Sequence, residues 1–269
     1  MPLAYGYVEG VDVSLPRLPG PLVGARIAHL SDLHVRRPRR RYDRVAAQLA
    51  ALRLDLLVIT GDCMSHEGDE PAAMDVLRRV LDRIQPRWGV LGVFGNHDSP
   101  ALRDAVRALP VTWLEDEVHA MPQVGLAVVG VGWPSDGAAL GRAVGRWRGS
   151  EPGAGARDEP PLQLTLAHSP SVLPRAADLG ADLLLAGHTH AGQIRLPGGF
   201  ALRNATDLPL RLSTGVLRHR HTLAAVSRGI GEMTLPLRLF CPPHIPLYTL
   251  RRGPLPGQPC DDIVRLRHW

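Results

Sequence analysis

Short apolar runs alternate with amphipathic stretches along the first hundred residues of this chain. Residues 25–31 form an apolar run that closes on Asp32, residues 42–54 carry Val45, Leu49 and Leu52 at the spacing of a helix face, and residues 56–60 are an unbroken run of Leu, Val, Ile and Thr. Strand, helix, strand in that order predicts a β-α-β unit. A second helix is predicted over 71–85, where Met74, Leu77, Leu81 and Ile84 share one face, and 89–94 reads as the next strand. Right-handed crossovers of this kind build a mostly parallel sheet, in which ligands collect at the carboxyl ends of the strands. Pro16, Pro19 and Pro21 make residues 1–24 an extended leader lying against the domain edge, since each proline fixes its own backbone and withholds a donor.

The second half has a different rhythm. Residues 111–118 and 124–131 read as adjacent strands, a helix is predicted near 138–147, and the Gly, Pro and charge mixture of 149–161 reads as a surface loop or flap. Residues 162–167 and 182–186 are further strands, 194–196, 223–226 and 246–250 suggest closing antiparallel strands, and 251–269 is a tail. No internal repeat is present. One domain over residues 1–269 is expected, because layered β folds of roughly 200–250 residues are routine as single domains.

Composition narrows the classes. The net charge of +5 comes from 31 basic residues, all of them arginine, and 26 acidic ones. Three cysteines, Cys63, Cys241 and Cys260, with no CxxC spacing argue against a disulfide framework or a zinc knuckle and fit a reducing compartment. No run approaches the roughly 18 apolar residues of a membrane span, and residues 1–24 lack a basic segment followed by an apolar one. The expected location is the cytoplasm, with peripheral membrane contact as the variant discussed below.

The chemistry stands where apolar runs end. Asp32-Leu33-His34, Gly61-Asp62, Gly95-Asn96-His97-Asp98, His168 and Gly187-His188-Thr189-His190 each follow a predicted strand. Singly, each has an ordinary reading: Asp and Asn are turn residues, a carboxylate after a strand can cap a helix, and paired histidines are often merely exposed. Together they form a set of carboxylates, imidazoles and one carboxamide suited to Mn, Fe, Co or Zn rather than to calcium or a soft thiolate metal. His29, three residues before Asp32, is either a support for that set or a hydrogen-bonded core histidine.

In their order and wording, DLH, GD, GNHD, H and GHTH resemble the calcineurin-like metallophosphoesterases over about residues 27–250. The longer stretch from Gly187 to Ile194, with Arg228-Gly229-Ile230-Gly231 and Cys241-Pro242-Pro243, is similar to a bacterial phosphodiesterase branch related to YkuE and YaeI. The resemblance implies a four-layer α/β/β/α sandwich with mixed sheets. It implies that Asp32, His34, Asp62 and His190 hold one divalent ion, that Asp62, Asn96, His168 and His188 hold a second, and that Asp62 bridges them. Such a pair shares a hydroxide and clamps the attacking and leaving oxygens at phosphorus. His97 is then expected to stabilise the transition state or protonate the leaving alkoxide, with Asp98 orienting its imidazole.

The expected function is hydrolysis of a phosphodiester or pyrophosphate bond, on a small-molecule, lipid-linked or nucleotide-sugar substrate. A nuclease or phosphomonoesterase of the same fold is the alternative, and a non-catalytic metal-binding scaffold a further one. The run Arg36, Arg37, Arg39, Arg40 and Arg41 follows the first pair of ligands and has three open roles: a clamp for an anionic substrate, a patch for anionic membrane, or a solvated face. Nucleic acid is disfavoured, because aromatic residues make up only 4% of the chain and are not interleaved with the arginines.

Overall fold

The computed structural model describes residues 7–135, 137–150, 160–197, 200–203, 206–233, 235–258 and 260–267. The leader is more than an extended approach. Val11, Val13 and Leu15 alternate inward along a strand, β1 (Val8–Leu15). Next come β2 (Arg26–Leu30), α1 (Arg40–Ala50), β3 (Leu56–Thr60), α2 (Glu70–Leu81), β4 (Val90–Val93) and a short α3 (Pro100–Val106). Helix α2 stops four residues before the predicted end: Arg83 and Ile84 bond back only three residues, and Pro86 disfavours a helical Gln85. Ser99 caps α3 by accepting from the Leu102 amide.

The stretch 111–118 is not one strand. It divides into β5 (Thr112–Trp113) and β6 (Glu117–Met121), which belong to different sheets. Asp116 turns the chain between them with a left-handed backbone (φ 55°), and its carboxylate accepts from the Gly132 amide at 3.0 Å. Then follow β7 (Leu126–Gly130), α4 (Gly137–Ser150), β8 (Leu162–Leu166), α5 (Leu173–Asp178), β9 (Leu183–Ala186), β10 (Arg195–Leu196), β11 (Phe200–Ala201), β12 (Gly215–His219), β13 (Thr222–Val226), β14 (Ile245–Arg252) and β15 (Val264–Arg267). Of the loop predicted over 149–161, residues 151–159 lie outside the described residues.

One sheet has the order β1-β14-β2-β3-β4-β5 and the other β15-β12-β13-β9-β8-β7-β6, while β10 and β11 form a separate hairpin. Strands β2 to β5 run parallel, as do β7, β8, β9 and β13, and the edge strand β1 is parallel to β14; the antiparallel pairs are β14 with β2, β6 with β7, and β12 with β13 and β15. Strand β13 was expected among the closing antiparallel strands, yet it is parallel to β9 and antiparallel only to β12.

Alternation along the central strands sorts the core into layers. Val58, Val93, Val128, Leu164 and Leu185 face between the two sheets. Leu57 and Ile59 face outward onto Val45, Leu49, Val76, Leu77 and Val80 of α1 and α2. Val129, Leu184 and Ala224 face the other way onto Leu140, Val144 and Leu173 of α4 and α5. Each fully buried side chain of this size contributes about 1.5–3 kcal/mol. The result is the α/β/β/α sandwich with mixed sheets. No helix among the described residues is long and apolar enough to cross a membrane.

Candidate metal centre

Two sheets side by side bring their carboxyl ends to one edge, and all the singled-out clusters gather there. Asp32, Asp62 and Asn96 follow β2, β3 and β4; His168 follows β8, and His188 and His190 follow β9. The backbone at five of these residues is left-handed, with φ of 51° at Asp32, 44° at His34, 54° at Asp62, 69° at His188 and 48° at His190. Each such non-glycine conformation costs of order 1–3 kcal/mol and persists only where the surroundings over-determine it. Here neighbouring loops do so: the Asp32 amide donates to Gly61 O at 3.0 Å, His34 to Asp62 O at 2.9 Å and Gly187 to His168 O at 2.9 Å.

The side chains converge in two connected groups. In the first, His190 Nε2 lies 3.4 Å from Asp32 Oδ1 and 3.0 Å from His34 Nε2. In the second, His168 Nε2 lies 3.0 Å from Asn96 Oδ1 and 2.9 Å from His188 Nδ1. Asp62 Oδ2 belongs to both, 3.3 Å from His34 Nε2 and 3.2 Å from His168 Nε2. Nitrogen facing nitrogen at such distances can share only one proton per pair, whereas a cation accepts every lone pair. The field agrees with this. Burial alone would push the Asp62 carboxyl up, yet His168 and His34 hold it well below the usual carboxylate range. Against its own burial, His168 is pushed up to about 9 by Asp62, so the space between them favours positive charge. The donor set and its electrostatics fit divalent ions of the nitrogen- and oxygen-preferring kind.

The orientation of the donors is fixed from behind. His168 Nδ1 donates to Thr60 O at 2.7 Å, leaving Nε2 for the centre. Asp32 accepts from Ser31 Oγ at 2.5 Å and from the His188 amide at 2.9 Å, and Ser31 in turn accepts from Thr60 Oγ1 at 2.8 Å. His29 is a buried core histidine between Thr60 Oγ1 and the Tyr248 hydroxyl, lowered to about 3 by burial, and reaches Asp32 only through that hydroxyl chain.

His97 stands at the edge of the centre, with its ring centroid 4.9 Å from that of His34 and its amide donating to Asp62 Oδ1 at 2.9 Å. The expectation for Asp98 is corrected: it does not orient His97. The His97 ring is held through Nδ1 by Ser65 O at 2.7 Å. The buried Asp98 carboxylate turns the other way and accepts from the amides of Asp62, Cys63 and Gly95 at 2.9, 2.7 and 2.8 Å. It ties together the loops that carry Asp62 and Asn96. Adjacency in sequence says nothing about direction when consecutive residues leave a turn on opposite sides.

Several participants were missed. Gly229 and Gly231 press on the DLH loop: a Cβ at Gly229 would lie 2.6 Å from Asp32 Cβ, and one at Gly231 would lie 2.7 Å from His34 Cβ. Arg238 is turned inward, donating to Gly231 O at 2.5 Å and Arg228 O at 2.8 Å, with Nη2 3.2 Å from His190 Nδ1. Cys241 Sγ donates to His190 O at 3.2 Å. The RGIG and CPP segments were visible as shared wording; their place behind Asp32, His34 and His190 was not. On the other side the Trp133 ring stands 5.5 Å from both His168 and His188. It lines a cavity of ≈ 680 Å³ with Ser65, His66, Glu67, Asn96 and His97.

The arginine run is split. Arg41 and Arg39 pair with Glu232, Arg39 at 3.8 Å, whereas Arg36, Arg37 and Arg40 are exposed. Of the remaining histidines, His66 reaches the cavity rim, and His268 lies outside the described residues.

Comparison with known proteins gives a concordant result. The model of the calcineurin-like phosphoesterase family matches residues 25–192. The metallophosphoesterase YkoQ of Bacillus subtilis is 25% identical over 240 residues, covering 83% of each chain. YkuE of the same organism, also a metallophosphoesterase, is 27% identical over 73% of this chain and 68% of its own length. Phosphodiesterase YaeI of Escherichia coli is 26% identical over 84% of this chain and 82% of its own.

Proposed function

The chain belongs to the calcineurin-like phosphoesterases, and from that premise we propose that it hydrolyses a phosphodiester or pyrophosphate bond at a dinuclear metal centre. Asp32, His34, Asp62 and His190 would hold one ion and Asp62, Asn96, His168 and His188 the other, drawn from Mn, Fe, Co or Zn. When bound, such a pair supplies Lewis acidity toward phosphoryl oxygens and a water of lowered pKa as nucleophile. The observation that carries this reading is Asp62 Oδ2, a single carboxylate oxygen within 3.3 Å of histidines from both sheets.

The chain's own groups do the rest. Ser65 O holds the Nδ1–H of His97, which leaves Nε2 to face the cavity. A P–O bond forms to the incoming water oxygen as the P–O bond to the leaving alkoxide breaks; His97, protonated on both ring nitrogens, would give its Nε2 proton to the alkoxide, and the proton released by the water restores it. The Trp133 cavity receives the leaving arm. Diester or pyrophosphate preference is supported by the phosphodiesterase among the relatives and by a cavity of ≈ 680 Å³ with room for a second substituent. Lipid-linked or nucleotide-sugar phosphoesters are the substrates this reading favours, with Arg36, Arg37, Arg39, Arg40 and Arg41 offering peripheral contact to anionic membrane.

The test is hydrolysis of bis-p-nitrophenyl phosphate and p-nitrophenyl phosphate by metal-stripped protein, with each ion restored separately. Diester cleavage that requires added metal and exceeds monoester cleavage is expected. Equal or greater monoester cleavage would replace the phosphodiesterase reading with a phosphomonoesterase one.

A further inference from the structure

Of the nine large apolar side chains that are exposed among the described residues, eight lie between Leu196 and Phe240. Two segments carry six of them. In the β10–β11 hairpin Leu196 sits directly opposite Phe200, which is 71% exposed. In the second segment Leu235, Leu237, Leu239 and Phe240 all face outward. The segments are stitched into one surface: the Leu239 amide donates to Gln193 O at 3.1 Å, the Arg195 amide to Leu239 O at 3.0 Å and Gln193 Nε2 to Leu235 O at 2.8 Å. A contiguous apolar face of this extent on an otherwise charged protein marks an interaction surface.

Its border identifies the partner. Arg36 and Arg39 line one small depression together with Met233 and Pro236 of the apolar segment, and Arg37 and Arg40 are exposed beside them. An apolar face rimmed by arginines, with only Glu232 of opposite sign in that depression and already engaged by Arg39 and Arg41, complements neither an apolar nor a basic protein surface. It complements a bilayer whose headgroups are anionic: apolar side chains enter the boundary of headgroups and acyl chains, and guanidinium groups meet the phosphates. We propose that this face docks on anionic lipid membrane. The same segment turns Arg238 inward to within 3.2 Å of His190 Nδ1, and His34 lines the depression that holds Arg36 and Arg39, so docking brings the closed half of the candidate metal centre, not its cavity, next to the headgroup layer. The docking itself needs no turnover.

The experiment is co-sedimentation of the full chain with phosphatidylcholine vesicles prepared with and without phosphatidylglycerol. It is repeated for L237D/F240D and for R36A/R37A/R40A, with thermal unfolding and cleavage of a soluble diester measured on each. Binding that requires phosphatidylglycerol is expected. The apolar pair should lose at least about tenfold in partition and the arginine triple on the order of 100-fold at low salt, both with unchanged unfolding midpoint and unchanged soluble-diester cleavage. Absence of vesicle binding, or binding indifferent to both variants, overturns the proposal. So does a wild-type dimer that L237D/F240D dissolves, which would make the face a contact between two copies. Vesicle binding by a protein that cleaves no diester sinks the hydrolytic reading and leaves the docking intact.

Discussion

The two halves of the candidate centre use similar donors and stand on different supports. Asp32, His34 and His190 are backed by packed protein: Gly229 and Gly231 lie against the DLH loop, Arg238 and Cys241 hold His190, and the Tyr42 hydroxyl donates to Leu33 O at 3.0 Å. On the other half Asn96, itself exposed, lines a cavity of ≈ 680 Å³ whose wall is the Trp133 ring, and that ring stands 5.5 Å from the rings of His168 and His188. The closed half is built to keep its geometry, and the open half is built to admit something. A dinuclear phosphoesterase needs both properties at once, because the ions must not move while the substrate must enter and leave.

The largest effect that would sharpen this contrast lies on the open side. His97→Ala should lower kcat by roughly 10²-fold or more if the imidazole protonates the leaving group, with metal content by elemental analysis unchanged. Full activity in that variant would remove His97 from the chemistry. On the closed side the expected damage is to folding. Gly231→Ala places a methyl group 2.7 Å from His34 Cβ, and such overpacking should cost about 1–3 kcal/mol in denaturant unfolding. A neutral outcome there would mean that the closed half yields easily and that the contrast is false.

A smaller effect concerns pH. The His244 amide donates to Gly229 O at 3.1 Å behind the closed half, and burial lowers its imidazole from 6.5 to about 4. Between those values the unfolded chain binds a proton that the folded chain does not. Stability therefore falls as the pH drops through that window, by at most about 1.4 kcal/mol per pH unit from this group, and is insensitive to it above. His244→Asn should flatten the slope of unfolding free energy against pH between pH 4 and 6.5; an unchanged slope would show that the ring is already solvated.

The donor inventory was legible because each cluster ends an apolar run, and the sandwich was legible because those runs alternate with helical spacing. What escaped has physical reasons. The left-handed backbone at Asp32, His34 and Asp62 is not announced by glycine at those positions, and Asp and His, though they tolerate it, do not require it. Strand β1 did carry period-two alternation at Val11, Val13 and Leu15, but the prolines that follow drew the reading toward a plain extended leader. Helices α3 and α5 span seven and six residues, too few for a helical period to declare itself. The division of 111–118 between two sheets depends on one turn at Asp116, and the inward direction of Arg238 depends on carbonyls far away in sequence. Asp98 adjoins His97 in sequence, yet three backbone amides claim its carboxylate, and sequence adjacency carries no sign of that.

Everything turns on Asp62 as the carboxylate common to both halves. The most direct measurement is the stoichiometry of bound divalent metal, by elemental analysis after loading with Mn or Zn and removal of excess, in the wild type and in Asp62→Asn. Two ions per chain in the wild type and less than one in the variant are expected. A wild type that binds none, or an Asp62→Asn protein that still retains two, would contradict the bridged centre.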